Sequence, residues 1–222
     1  MTDKKIVSKR VVSPTQKAFN VWGLILIAWA FYRSTYGLGM PVAIDELIIK
    51  PLLFVVPVLY YIKHFEHKDL IAGLWLYSKS IWKDIQFGLI LSIPLIAFFA
   101  YIALFQNKNL SWSQLPIIFI VAFAMSISEE ILSRGFVARH IWQETHSVVK
   151  TIIQASLLYI FLRIPHIMTM PEIFGQKLIW FFLAELLVAV TATGIYLWRR
   201  SLITVIIVRT IYSFILMTML LQ

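Results

Sequence analysis

The chain has 222 residues, of which 60% are hydrophobic and only 14% are charged, and its net charge is +9. Soluble domains carry about 25% charged residues, and a soluble fold of this size could not bury so much apolar surface. The same figures exclude a disordered chain, a collagen, a coiled coil and a disulfide scaffold, and the lack of cysteine excludes disulfides, cysteine-ligated zinc and a thiol nucleophile.

Seven apolar stretches approach the roughly 20 residues that a helix needs to cross a bilayer. In chain order they are about Ala18–Tyr32, Leu47–Ile62, Gln86–Phe105, Trp112–Ser128, Thr151–Met170, Leu178–Trp198 and Ser201–Leu221. The aromatic segment from Leu70 to Trp82 is expected to lie along the lipid headgroups, or to form half of an eighth span. The sequence therefore predicts an all-α, polytopic transmembrane helix bundle of seven to eight spans. Residues 1–222 are expected to form a single transmembrane domain.

Basic residues are distributed unequally between the two sides of the predicted bundle. Fourteen Lys and Arg residues fall on one side and three on the other. Because cytoplasmic loops collect basic residues, we predict an integral protein of the cell membrane with its N-terminus in the cytoplasm and its C-terminus outside. The first apolar stretch is expected to act as an uncleaved signal anchor. The basic side favours anionic lipid as a partner, and nothing in the sequence calls for nucleic acid.

Two adjacent carboxylates, Glu129 and Glu130, follow the fourth predicted span. Adjacent carboxylates repel each other, so at least one is expected to have a raised pKa, as a general base or acid requires. Arg134 lies one helical turn after Glu130, where it can hold one carboxylate while the other stays free. The alternative is a solvated Glu–Arg pair at a helix end.

Four further ionisable residues fall inside apolar stretches: Arg163, His166, Glu185 and Arg209. His166 follows Pro165, whose ring is expected to kink the helix and open a polar cavity. The alternative for His166 is a hydrogen bond at the outer interface. Glu185 is expected to pair with Arg163 or Arg209, since an unpaired charge in hydrocarbon is costly.

The segment around the carboxylates resembles a known family. Glu129, Glu130, Arg134 and Gly135 match the Glu-Glu-x-x-x-Arg-Gly motif of the CPBP intramembrane proteases, which are also called the CAAX prenyl protease or abortive-infection (ABI) family. The resemblance covers about Leu115 to the end, and the motif-bearing core is about residues 112–222.

The other two motifs of that family are altered in this sequence. The family's Phe-x-x-x-His motif corresponds to Leu162 and His166, so the His is present and the Phe is replaced. The family's His-x-x-x-Asn/Asp motif corresponds to Arg209 and Ser213, which keep the spacing and lose both residue types. These replacements put activity in doubt.

The resemblance implies a metalloendopeptidase-like hydrolysis of a membrane-associated peptide bond. In that scheme Glu129 activates water, Glu130 and Arg134 orient the site, and His166 acts as a donor or metal ligand. Zinc is the cofactor that the resemblance implies, held by Glu129 and His166 if at all. Arg209 has no lone pair to offer a metal. It could instead donate to an oxyanion, or it could be an ion-pair staple to Glu185. Glu129, Glu130 and His166 are expected to line one polar cavity open to the cytoplasm.

The functional interpretation depends on whether Glu129 and His166 meet in the folded bundle. Glu129 and His166 meet only if the fourth helix continues to about His140, because a rise of 1.5 Å per residue otherwise separates them by more than about 10 Å.

The leading hypothesis is an intramembrane endopeptidase acting on a membrane peptide or protein. The alternative is a catalytically degenerate member that serves as a membrane scaffold or a bacteriocin-immunity-type binding protein. A small transporter or channel is supported only by the buried charges.

Overall fold

The computed structural model describes residues 13–37, 39–105, 113–169 and 175–220, and within these ranges every regular element is helical. The helices, numbered in chain order, are α1 (Pro14–Thr35), α2 (residues 42–64), α3 (Leu70–Leu74), α4 (Ile81–Phe105), α5 (Leu115–Thr145), α6 (Val148–Ile167), α7 (Gln176–Arg199) and α8 (Leu202–Leu220). The all-helical expectation is confirmed for these residues.

Local sequence explains where several of these helices begin and end. Ser13 and Ser147 precede α1 and α6, and each side chain accepts a hydrogen bond from a backbone N–H three residues later. Pro14 occupies the first position of α1, where its missing N–H costs nothing. His146 and Arg200 adopt left-handed backbone conformations that end α5 and α7.

Among the described residues, five helices are long and apolar enough to cross a membrane: Ile81–Tyr101, Leu115–Thr145, Val148–Ile167, Gln176–Arg199 and Leu202–Met219. These correspond to the last five predicted spans. The first two predicted spans are helical, as α1 and α2, but they are not confirmed as spans. The total of seven is therefore not confirmed. Helix α2 carries four charged residues, Asp45, Glu46, Lys50 and Lys63.

The fourth predicted span was wrong in its extent. The sequence pattern predicted that it ends at Ser128, but α5 continues as one helix to Thr145 and contains a π-helical stretch at Ile131–Ala138. This extension places Glu129 and Glu130 near the middle of α5, where both are buried. The sequence pattern ended the span too early because two adjacent carboxylates are typical of a solvated helix end. The ion-pair partners of Glu129 lie on other helices and could not be identified from the sequence.

Helix α8 packs most extensively against α4 and α5. Gly88 on α4 allows this approach, because a Cβ there would lie 3.0 Å from Ile207 Cβ and 3.1 Å from the Thr204 carbonyl oxygen. Small residues at such contacts let membrane helices approach closely. Arg209 on α8 is thereby held inside the bundle.

The helix ends that carry the basic loops meet at one end of the molecule, which we call the basic end. The backbone N–H groups of Leu202 and Ile203 donate to the carbonyls of Trp75 and Leu76 at 2.8 and 3.0 Å. These bonds fix the loop after α3 against the start of α8. Helix α3 has only five residues, ends at Leu74 and is too short to cross a membrane by itself.

Candidate functional site

Eight ionisable side chains form one buried ion-pair network between α2, α5, α6, α7 and α8. Each residue is at most 4% exposed. Because four are acidic and four are basic, the network can remain fully ionised without net charge, which suits an apolar interior. Its members are Glu46, Lys50, Glu129, Glu130, Arg134, Arg163, Glu185 and Arg209.

Both carboxylate oxygens of Glu129 are occupied by cationic partners. Lys50 Nζ donates to Oε1 at 2.8 Å. Arg163 Nη2 lies 3.1 Å from Oε2, and Arg209 Nη2 lies 3.4 Å from the same oxygen. Lys50 also contacts both oxygens of Glu46, at 2.8 and 2.7 Å. Glu129 therefore joins cations from three different helices.

The hydroxyl of Tyr159 stands between two carboxylates. It lies 3.0 Å from Glu129 Oε2 and 2.9 Å from Glu185 Oε2, and its single proton can serve only one of them at a time. The same hydroxyl accepts hydrogen bonds from Arg163 and Arg209. Tyr159 thus links the Glu129 and Glu185 parts of the network.

The predicted pair of Glu130 and Arg134 is present and buried. Arg134 Nη1 donates to Glu130 Oε1 at 3.0 Å, and Arg134 Nη2 donates to the carbonyl of Ala189 at 3.1 Å. The Arg134 guanidinium also lies over the Tyr159 ring, 4.5 Å from its centroid. Glu130 Oε2 has no hydrogen-bond partner among the residues that the structure describes.

Arg209 contacts both carboxylates that the sequence offered as alternatives. Its Nη2 lies 2.8 Å from Glu185 Oε2 and 3.4 Å from Glu129 Oε2, and its Nε lies 3.9 Å from Glu130 Oε1. The staple and the Glu129-facing arrangement therefore coexist. Ser213 lies one turn further on α8, fully buried, and its hydroxyl has no partner within the described part of the chain.

His166 lies on a separate cavity of about 260 Å³. Glu46 and Arg163 also line this cavity, whose other walls are apolar and include Val121 and Phe181. Among the described residues, no hydrogen bond or ion pair joins His166 to Glu129 or Glu130, and buried Nδ1 of His166 has no partner.

The sequence predicted one cavity shared by Glu129, Glu130 and His166, and the cavity at His166 differs from it in its lining. Its walls come from the start of α2, α5 and α7 and from the ends of α6 and α8, as shown by Val42, Ile117, Phe181, His166 and Met217. Those helix ends lie opposite the basic end. Glu129 and Glu130 do not line it. The physical reason is that their carboxylates turn into the ion-pair network.

The donor set around Glu129 does not fit zinc. A zinc ion takes about four ligands from nitrogen, sulfur or oxygen donors, and catalytic sites supply three from the protein. Within the described ranges there is no group of three potential His, Asp or Glu ligands. Arg209 cannot serve as a ligand, and both oxygens of Glu129 already face cations.

Sequence reasoning missed four members of this site. Glu46 and Lys50 stand four residues apart in an apolar stretch, which is the spacing of a helical ion pair and was a usable signal. Tyr159 gave no signal, because a tyrosine in a membrane span more often packs or anchors than bridges charges. Tyr212, whose hydroxyl donates to Glu185 Oε1 at 3.2 Å, was also missed.

Comparison with known proteins identifies one family. The family model described as "Type II CAAX prenyl endopeptidase Rce1-like" matches residues 110–215. No curated protein and no solved structure matches the chain. The match contains all three motif positions, so the resemblance drawn from Glu129, Glu130 and Arg134 is confirmed.

Proposed function

Residues 110–215 carry the Rce1-like segment of a family of intramembrane endopeptidases, and from this premise we propose that the protein binds membrane peptides without cleaving them. One observation carries the proposal: Glu129, the residue in the position of the family's base, has both oxygens engaged by cations. The protein is then a scaffold or a bacteriocin-immunity-type binding protein built on a protease architecture.

A general base must hold a free lone pair within about 3 Å of the water that it deprotonates. Glu129 Oε1 accepts from Lys50, and Oε2 faces Tyr159, Arg163 and Arg209. Nearby positive charges stabilise the ionised carboxylate. These contacts direct both oxygens of Glu129 toward cations, and the residue does not line the cavity at His166 where a peptide would bind.

The replacement of the family's second histidine supports the same conclusion. Arg209 places a permanent positive charge at that position, and this charge pairs with Glu185 and Glu129. We therefore propose that this chain holds no catalytic zinc, because an arginine offers no lone pair to a metal. In this protein the third motif contributes stability to the bundle.

The cavity at His166 supplies a binding function that needs no hydrolysis. Its apolar walls suit aliphatic or aromatic side chains, and Arg163 and His166 are among the residues that line it. Nδ1 of His166 is itself buried, so the apolar walls supply most of the recognition. A hydrophobic peptide segment fits a cavity of this kind.

The test uses the protein reconstituted in vesicles with a library of hydrophobic peptides, and mass spectrometry reads both cleavage and retention. We expect no cleavage above that of empty vesicles. Ala43→Phe, which fills the cavity, should reduce peptide retention about 10-fold, whereas Leu47→Phe, one turn away on the exposed surface of α2, should not. Cleavage by the wild type that Glu129→Gln abolishes would contradict the proposal.

Peptide hydrolysis is the second candidate, and a specific observation favours it. Buried polar groups are nearly always paired, yet Glu130 Oε2, His166 Nδ1 and Ser213 Oγ have no partner among the described residues. These atoms are buried and keep unused hydrogen-bonding capacity for a water or a scissile peptide that enters the bundle. In this scheme Glu129 is the base, Glu130 and Arg134 orient the site, and Arg209 donates to the oxyanion. The cleavage measurement above separates the two candidates.

A further inference from the structure

A second, larger concavity lies at the basic end, remote from the ion-pair network. It has a volume of about 1030 Å³ and lies between the segment that follows α2 and the turn that joins α7 to α8. We call it the basic groove. Its lining includes Asp69, Trp75, Tyr77, Lys79, Arg199 and Arg200.

The basic side chains of this groove differ in their availability. Arg199 is committed to Asp84, whose Oδ1 lies 3.3 Å from Arg199 Nη2. Lys79 and Arg200 are exposed. The Arg200 guanidinium stacks over the Trp75 ring at 5.4 Å, which holds it at the groove wall. Asp69 is the one carboxylate of the lining, so the groove keeps an excess of positive charge.

The walls of the groove are fixed by backbone hydrogen bonds. The carbonyl of Trp75 accepts from Leu202 at 2.8 Å, and the N–H of Arg200 donates to the Tyr196 carbonyl at 2.7 Å. The Tyr196 hydroxyl donates to the Leu74 carbonyl at 3.0 Å. The groove is therefore preformed, and a ligand would not have to order it.

Exposed aromatic and aliphatic side chains place the groove at headgroup depth. Trp82 and Trp198 are 71% and 73% exposed at the same end of the bundle. Tryptophan side chains concentrate where a membrane meets water. Leu70 and Ile71, which line the groove, present apolar surface that suits acyl chains.

We propose that the basic groove binds an anionic phospholipid, with its phosphate held by Lys79 and Arg200 and its acyl chains against Leu70 and Ile71. Charge complementarity selects this occupant, because basic side chains near a membrane surface attract acidic lipids. The apolar wall favours a lipid over a free phosphate, because a free phosphate has no acyl chain to pack against it. This inference does not depend on whether the protein cleaves peptides.

The experiment counts bound lipids by native mass spectrometry of the purified full chain. Phosphatidylglycerol is compared with phosphatidylcholine of the same acyl chains. The wild type should retain phosphatidylglycerol preferentially. The double variant Lys79→Gln, Arg200→Gln should retain about 10-fold less phosphatidylglycerol than the wild type. The matched control Lys63→Gln, Lys150→Gln removes two exposed charges from the basic end outside the groove, and it should retain the lipid.

Four results would overturn the proposal. Equal retention of the two lipids would remove the role of charge, and equal losses in the groove and control variants would indicate diffuse attraction to the whole basic end. Displacement of the lipid by inorganic phosphate at equal concentration would indicate a free-anion site. The charge-preserving variant Lys79→Arg, Arg200→Lys should keep the lipid, so a loss there would contradict the argument even if the glutamine variant fails to fold.

Discussion

Two glutamates are each surrounded by several cations, and they differ in their access to water. Glu129 lies inside the bundle, 3% exposed, among Lys50, Arg163 and Arg209. Glu66 lies at the basic end, where Arg139 Nη2, His140 Nε2 and Lys68 Nζ approach it at 2.7, 2.8 and 3.0 Å. The contacts are alike in length, but only the second cluster has an exposed member.

This difference determines what each cluster contributes. Water can replace a lost partner such as Lys68, whose side chain at the basic end is 46% exposed. It cannot do so in the ion-pair network, where removing one partner leaves an uncompensated charge in the bundle interior. The interior cluster therefore stabilises the arrangement of five helices, and the outer one fixes a loop.

The largest effect is expected from Arg209→Leu. The substitution leaves Glu185 and Glu129 short of a cation and should lower the free energy of unfolding by about 3–5 kcal/mol. Denaturation of the purified protein in detergent measures this change. Adding Glu185→Leu should recover part of the loss, because it restores the balance of charges. A single variant within about 0.5 kcal/mol of the wild type would remove the distinction between the clusters.

Acid should weaken the outer cluster by a smaller amount. Burial alone would raise the pKa of Glu66, but the hydrogen bond from His140 and the charge of Arg139 outweigh burial and lower the pKa from 4.5 to about 2. The ionised form is thus stabilised by folding. Its contribution is complete above about pH 4.5 and is lost as the pH falls toward about 2.

We expect this loss to be about 1 kcal/mol, because solvent screens a cluster at the protein surface. Unfolding measured at intervals across that pH window should show a slope in the wild type that is smaller in Glu66→Gln. A variant with the wild-type slope would place the titration elsewhere.

The smallest effect is expected from Lys68→Ala. Its ion pair with Glu66 is the exposed one of the cluster, so the change should cost at most about 0.5 kcal/mol. Thermal unfolding of this variant alongside Arg209→Leu gives the comparison directly. Equal losses in the two variants would show that burial does not separate the clusters.

Much of the architecture follows from apolar length alone. The last five spans were predictable because each has a long uncharged or singly charged core, and the carboxylate pair with Arg134 was predictable from its spacing. The first two predicted spans and the end of α5 could not be predicted in this way. Whether their charged residues are buried or solvated depends on which residues pair with them. Glu129 resembles a solvated helix end until Lys50, 79 residues away, is placed beside it.

The composition of the site was predictable only in part for the same reason. Short-range spacing identified Glu130 with Arg134, which lie in one helix. The contacts of Arg209 with Glu129 and Glu185 cross between helices, and no sequence pattern encodes which helices become neighbours. His166 was identified from a motif, but its place on a cavity that Glu46 lines, and Glu129 and Glu130 do not, depends on how the helices pack.

The central claim is that Glu129 stabilises the bundle and does not act as a base, and the free energy of unfolding of Glu129→Gln tests it most directly. The account predicts a loss of about 3–5 kcal/mol, because Lys50, Arg163 and Arg209 are left without the charge they share. Glu66→Gln, measured alongside at neutral pH, should lose about 1 kcal/mol. A Glu129→Gln protein that is as stable as the wild type but has lost a peptide-cleaving activity would contradict the account.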